Sequence, residues 1–410
     1  MITTKLFDIL LLIAAALIFA RALGYLFYKL KQPAVMGELI AGIFLGGVIL
    51  FFFSGQQFTI ANYVVSPPEF SFQWAEFKIL AQIGILFLLF ISGLEISLSK
   101  LKKTEKASSF VAIGGVLLPL VLGFLTAFLL GFSVQESIII GLILTATSVG
   151  VTARVLMDLH VLDTDVGATI LGSAVIDDVI GLILLAFVIG IESLIDAVWI
   201  SLRIIIFFLV FLYLGLKVID KILDIGEKIH LPKAFLSISL AILLIYSFFA
   251  DKAGFSGIIG AFIAGILIGQ NVRSKKIIED VKAIGYGFFI PLFFVWVGSI
   301  TWEEASTDVS AYVTIGIFAL IIITISIVGK ILGCGIGAKL AGMSGRESLQ
   351  IGVGMIPRME LALIIATAAV SHGLLTGNIA HQILLSTVLL TIITTLLAPF
   401  LIKATFKNVK

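Results

Sequence analysis

Residues Gly37-Glu-Leu-Ile-Ala-Gly-Ile-Phe-Leu-Gly46 return, with six identities, as Gly260-Ala-Phe-Ile-Ala-Gly-Ile-Leu-Ile-Gly269. Each copy sits inside a long apolar run. Small residues on one helix face let helices approach closely in lipid, so either copy alone reads as a packing surface. Their place in the chain says more. They fall in the second and ninth of thirteen apolar stretches, seven apart, and so would cross a membrane in opposite directions. A duplication at that spacing is an inverted-topology repeat, with spans 1–6 answered by spans 8–13 and span 7 joining them.

Composition supports the membrane reading. Of 410 residues, 13% are charged, against roughly 25% in an ordinary soluble domain. Apolar residues make up 60%, and the mean hydropathy is +1.21. A soluble fold cannot bury that much apolar side chain. A disulfide scaffold is excluded by the single Cys334, and a net charge of +2 gives no nucleic-acid footprint.

A helix needs about 20 apolar residues to span the hydrocarbon core, whereas barrel strands would alternate. The first seven stretches are Phe7–Tyr28, Ala34–Phe53, Phe77–Ile96, Ser109–Leu130, Glu136–Met157, Val166–Ile189 and Val198–Ile219. The rest are Ala234–Phe249, Phe255–Gln270, Ala283–Ile300, Ala311–Ile336, Ser348–Val370 and Ile379–Phe400. The first has only Lys5 on its N-terminal flank and is needed by the repeat, so it reads as a mature helix and not a signal peptide. Loops after odd-numbered spans carry 20 of the 27 basic residues, which puts the N-terminus outside and the C-terminus in the cytoplasm. The sequence therefore predicts an all-α polytopic membrane protein of thirteen transmembrane helices in the cell (inner) membrane. Its parts are repeat one at about 5–190, a linker helix at about 196–220 and repeat two at about 232–403.

Two spans are interrupted. Thr145-Ala-Thr-Ser-Val-Gly-Val-Thr152 breaks span 5 and Gly352-Val-Gly-Met-Ile-Pro357 breaks span 12, again seven spans apart. Broken helices in matching positions of two halves mark the central site of a secondary transporter. Five ionisable residues lie at depth: Asp177 and Asp178 in span 6, Lys330 in span 11, and Arg358 and Glu360 after the second break. Each costs about 2.5–3.5 kcal/mol at a helix centre. Salt bridges Asp177–Lys330 and Arg358–Glu360 would leave one carboxylate over, which must take a proton or a cation. Adjacent helix positions are about 100° apart, so one Asp can pair with Lys330 while the other faces a cavity. Na⁺ wants oxygen ligands, which Thr147, loosened carbonyls of Thr145–Gly150 and a carboxylate would supply.

These residues resemble the cation:proton antiporter superfamily, in particular the membrane domain of electrogenic sodium/proton antiporters of the NapA type. The motifs are Gly37-Glu-Leu-Ile-Ala-Gly42, Leu88-Leu-Phe-Ile-Ser-Gly-Leu-Glu95, Ala146-Thr-Ser-Val-Gly-Val-Thr-Ala-Arg-Val-Leu156, Ala174-Val-Ile-Asp-Asp-Val-Ile-Gly181, Gly329-Lys-Ile-Leu-Gly333 and Gly352-Val-Gly-Met-Ile-Pro-Arg-Met-Glu360. The resemblance implies the sodium/proton antiporter fold. It also implies a core domain of helices 3-5-6 and 10-11-12 with their neighbours, a dimer domain from the remaining helices, and a homodimer. Asp178 would be the principal Na⁺ and H⁺ carboxylate with Thr147 beside it, and Asp177 would pair with Lys330. Arg358 and Glu360 would be a supporting charged pair. Met359 stands where the family commonly has Gly. The chain ends ten residues after its last span, so no fused nucleotide-binding domain is expected.

The expected function is exchange of Na⁺ (or Li⁺) for H⁺, with no cofactor and no enzymatic chemistry; K⁺/H⁺ exchange is the alternative. An intramembrane aspartyl protease needs its two carboxylates on separate helices. A sodium-coupled symporter would not need the leftover carboxylate, and broken helices argue for a closed central site over a channel pore. His160, His230, His372 and His381 fall in or near loops. Glu38 and Glu95 are expected at cytoplasmic span ends, and Cys334 reads as packing.

Overall fold

A computed structural model describes residues 2–30, 32–52, 58–60, 63–65, 70–72, 74–189, 202, 206, 210–211, 213, 215–219, 221–223, 231–253, 257–271, 275–299 and 309–406. The chain opens with α1 (Ile2–Lys29) and α2 (Ala34–Phe52), then α3 (Ala75–Glu95) and α4 (Leu98–Leu129). Next come α5 (Val134–Ile143), α6 (Val149–Asp158), α7 (Asp165–Ile189), α8 (Ala234–Lys252) and α9 (Gly257–Gly269). α10 (Lys275–Ile284) runs through a π-helical turn at Gly285–Phe289 into α11 (Ile290–Ser299). The last are α12 (Val309–Leu340), α13 (Gly345–Gly354), α14 (Glu360–Ser371) and α15 (Gly377–Phe406). Among the described residues, eight helices are long and apolar enough to cross a membrane, with four shorter apolar helices beside them.

The expectation of helices alone needs one amendment. Phe58–Ile60 pairs antiparallel with Tyr63–Val65 in a short hairpin between α2 and α3. β-branched and aromatic residues of this kind favour a strand over a loop. The expected seventh span, Val198–Ile219, lies in part outside the described residues; its described positions are helical. α4 begins eleven residues before the apolar run at Ser109, because Leu98–Ser108 is helical despite its lysines. Long-stemmed Lys is a good helix former, and Ser97 caps the first turn by accepting from Lys100 N–H at 3.3 Å.

The chain divides into two compact units. The first comprises Met1–Phe87 and Lys282–Thr307. Its core is the Ile9, Leu12, Ala16, Ala20 face of α1 packed with Ala41, Phe77, Ala81 and Leu292. The opposite face of α1 exposes Leu10, Ile18 and Tyr25, as a lipid-facing helix does. Here α2 crosses α11 at Gly42 and Gly298; a Cβ on either would collide with the other helix's carbonyl oxygen.

The second unit comprises Leu88–Val281 and Asp308–Lys410. Within it, α4 and α12, each of 32 residues, run antiparallel. Their contacts are Gly329 on Pro119, Gly333 on Gly114, and Gly337 on Phe110. The end of α3 crosses α9 in the same way at Gly93 and Gly265. Such crossings bring backbones together through van der Waals packing, which must hold helices where lipid is as apolar as leucine.

Gly114→Ala should therefore lower thermal stability in detergent, since overpacking costs about 1–3 kcal/mol. Gly316→Ala, with open space around its would-be Cβ, should melt like the parent. A fluorescence-detected melting series on purified protein separates the two outcomes.

Candidate functional site

The two breaks are built alike. In each, a capping box starts a ten-residue half-helix. The Ser133 backbone N–H donates to Glu136 Oε2 at 2.8 Å, and the Ser344 N–H donates to Glu347 Oε2 at 2.8 Å. The returning bonds run from Glu136 N–H to Ser133 Oγ and from Glu347 N–H to Ser344 Oγ, both 3.3 Å. The sequence carries the signal openly as Ser-x-x-Glu before an apolar run, a pattern the span reading passes over.

Each half-helix then stops for five residues, Leu144–Ser148 and Met355–Met359. Thr145 Oγ1 donates to Leu142 O at 2.7 Å, the side-chain competition that loosens a helix. Pro357 has no N–H and disfavours helical backbone before it. In the second unit these extended pieces cross and satisfy one another. Ser148 N–H donates to Pro357 O at 2.7 Å, and Thr152 Oγ1 donates to Gly354 O at 2.6 Å.

Arg358 lies at the crossing, fully buried. Its Nη1 donates to Met355 O and Ile356 O, both at 3.0 Å, and its Nη2 donates to Leu144 O at 3.0 Å. These carbonyls belong to the C-terminal ends of α13 and α5, where unpaired oxygens concentrate partial negative charge. One guanidinium therefore closes both half-helices. α15 steadies it: Arg358 N–H donates to Thr394 Oγ1 at 3.1 Å and Thr395 Oγ1 donates to Arg358 O at 3.2 Å. The expected Arg358–Glu360 pair turns on the Glu360 side chain, which lies outside the described residues.

Beside the crossing, Asp177 of α7 is buried to 1% exposure and Lys330 of α12 to 0%. Lys330 Nζ donates to Asp177 Oδ2 at 2.8 Å, the expected pair. Thr147 Oγ1, from the first break, donates to the same oxygen. Asp177 Oδ1 has no hydrogen-bond partner among the described residues. Asp178, next along α7, is only partly buried. Thr147 was expected beside the two aspartates and Lys330; its hydroxyl hydrogen goes to Asp177. It keeps its lone pairs, because a hydroxyl that donates its hydrogen still accepts.

Room for the ammonium comes from glycine. A Cβ on Gly115 of α4 would stand 3.3 Å from Lys330 Nζ and 2.5 Å from Cys334 Sγ. Cys334 is buried there, as packing. Glu38, five residues into α2, is fully buried in the first unit, 3.7 Å from Arg21. Glu95 is partly buried; His160, His372 and His381 are exposed, and His230 lies outside the described residues.

Arg358→Met should destabilise strongly, by about 3 kcal/mol or more, because it strips capped carbonyls of a buried charge partner. Thr147→Val removes one hydrogen bond to a charged group and should cost about 1.5–3 kcal/mol. A smaller melting loss for Arg358→Met than for Thr147→Val would contradict this division of labour.

Comparison with known proteins fits this arrangement. The family model described as sodium/hydrogen exchanger, transmembrane, matches residues 7–407. The Na(+)/H(+)-K(+) antiporter GerN of Bacillus cereus is 32% identical over 403 residues, covering 98% of this chain and 97% of its own. The Na(+)/H(+) antiporter of Enterococcus hirae is 34% identical over 381 residues, covering 92% and 93%. Among solved structures, the sodium proton antiporter MjNhaP1 from Methanocaldococcus jannaschii superposes with a TM-score of 0.64 at 19% identity, covering 98% of each chain. That likeness establishes the antiporter fold. Matched from its first helix to its last, the chain belongs to the transmembrane sodium/hydrogen exchanger family.

Proposed function

We propose that the protein exchanges Na⁺ (or Li⁺) for H⁺ across the cell membrane, with the two ions competing at Asp178. The observation that carries this reading is the crowding of Asp177 Oδ2. Lys330 and Thr147 both donate to it, so Asp177 is held by two donors, and Asp178, next along α7 and only partly buried, is the second carboxylate that we assign to the ion. Na⁺ would take a carboxylate oxygen of Asp178 and the lone pairs of Thr147 Oγ1, a hard cation on oxygen ligands. One carboxylate cannot hold a proton and Na⁺ together, so loading one releases the other.

Lys330 gives the cycle its charge. When Na⁺ draws on Asp177 as well, Lys330 gives up its proton to water, and two H⁺ leave for one Na⁺ entering. The exchange is then electrogenic. Names of relatives point the same way, with K⁺ added in that of GerN, which makes K⁺/H⁺ exchange the second reading.

The architecture we infer is thirteen spans in two inverted repeats, N-terminus outside and C-terminus cytoplasmic, assembled as a homodimer. A core domain of helices 3-5-6 and 10-11-12 would move against a dimer domain. Adding 211 supports the repeat: α4 at 98–129 becomes α12 at 309–340, and α5 at 134–143 becomes α13 at 345–354. The glycine crossings of α2 on α11 and of α9 on α3 match as a second symmetric pair. The lysine-rich loops after odd spans support the orientation.

The test is a proteoliposome with a trapped pH dye, challenged separately with Na⁺, Li⁺, K⁺ and organic solutes, with and without a membrane potential. Asp178→Asn should reduce the Na⁺-dependent signal to that of empty vesicles while the protein still melts cooperatively. Persisting exchange in that variant sinks the assignment. In the parent, the apparent Na⁺ affinity should fall as the pH is lowered, since protons then win the shared carboxylate. Lys330→Gln should make exchange insensitive to the potential; unchanged voltage sensitivity counts against its proton. A gradient discharged by K⁺ and not by Na⁺ selects the second reading.

A further inference from the structure

The outer edge of the α4–α12 pair has a use that ion exchange does not require. Along α4, every third or fourth residue faces outward: Phe110, Ile113, Leu117, Val121, Leu125 and Phe128 are all at least 40% exposed. At 1.5 Å per residue this stripe is about 27 Å long, the thickness of a bilayer's hydrocarbon core. The same stripe continues N-terminally into Lys106 and Lys102, both exposed. Lys106 stands about 6 Å beyond Phe110 and Lys102 about 12 Å, the depth of the headgroup layer.

α12 runs antiparallel beside it with its own outward stripe, Ile317, Leu320, Val328, Leu332 and Ile336. Gly337 packs on Phe110, so exposed Lys339, two residues further on, comes level with Ser108, about half a turn short of Lys106, at the same end of the pair. Neighbouring Lys100 and Lys103 are tied to Asp165 of α7, at 3.2 and 2.7 Å. Lys102, Lys106 and Lys339, by contrast, have no hydrogen bond or ion pair among the described residues. Exposed Glu105 offsets one of the three, leaving a net +2 (three lysines less one glutamate) above two apolar stripes.

We propose that this edge is a binding site for an anionic phospholipid, in the leaflet on the side of the α4 N-terminus. Acyl chains lie along the two stripes while the headgroup phosphate accepts from Lys102, Lys106 and Lys339. A solvated lysine collar would serve on any span end. The lipid reading rests on three unpaired cations from two helices, converging at headgroup depth over a continuous apolar surface. The occupied site bridges the two helices whose inner faces seat Lys330 against Gly115, and so reinforces that crossing from outside.

The experiment uses the full-length protein purified in neutral detergent and offered phosphatidylglycerol or phosphatidylcholine of identical acyl chains, with retained lipid counted by native mass spectrometry. The parent should retain phosphatidylglycerol in preference. Lys102→Gln/Lys106→Gln/Lys339→Gln should lose that preference, by roughly fivefold for each lysine removed. The same three positions changed to Arg should keep it. A control with Lys29→Gln/Lys217→Gln/Lys252→Gln should keep it as well. The proposal is overturned if the first variant holds phosphatidylglycerol as the parent does. It is equally overturned if the control loses as much, for then only bulk charge is at work.

Discussion

A peptide group inside a bilayer has no water to bond, so every interruption of a spanning helix must be answered by other protein atoms. Two interruptions meeting at one point turn that constraint into a solution. Ser148 N–H finds Pro357 O, Thr152 finds Gly354 O, and Arg358 gathers the last carbonyls of both half-helices. Neither break is tolerable without the other. Asp177, Lys330 and Thr147 stand where they do because this crossing holds the polypeptide open at depth.

Reading from sequence went far because lipid simplifies the code. Long apolar runs return as helices at α2, α3 and α7 to within two residues, since a span must be apolar over its whole length. Both breaks were found within a few residues, because hydroxyls and Pro357 weaken a helix locally. That one aspartate pairs with Lys330 is legible from charge, since a buried cation needs a buried anion; that it is Asp177 came from the family resemblance. What escaped were features set by three-dimensional neighbours. Thr147 could have faced either aspartate, since a span number gives no rotation about the helix axis. Charge counting gave no sign that Arg358 also binds carbonyl dipoles, which formal charge does not register. The lysine-rich start of α4 looked like loop, because hydropathy marks where the membrane ends and not where the helix ends.

Glycine sets how closely these helices can be joined. Gly114 on Gly333, Gly93 on Gly265 and Gly42 on Gly298 are backbone-to-backbone contacts, so they tolerate no added atom. Gly115 is different. Its missing side chain leaves space for an ammonium and a thiol, so the sequence Gly114-Gly115 couples a packing contact with a seat for Lys330. Cys334, one turn from Lys330, fills the remainder of that volume without bringing a second charge to the pair.

The same shift of 211 that carries α4 onto α12 carries Thr147 onto Arg358 and Ser148 onto Met359. Two breaks of equal length and equal capping thus place unlike side chains at the same point. A hydroxyl there can serve a carboxylate and still offer lone pairs; a guanidinium there can only donate. The first break thus supports the Asp177 carboxylate, and the second gathers the carbonyl ends of both half-helices. Ser148 Oγ lies 3.5 Å from the Met359 sulfur, a weak contact between the two positions following them. Ser148 donates its hydroxyl hydrogen to that thioether and its backbone N–H to Pro357 O, so both of its donors tie the first break to the second.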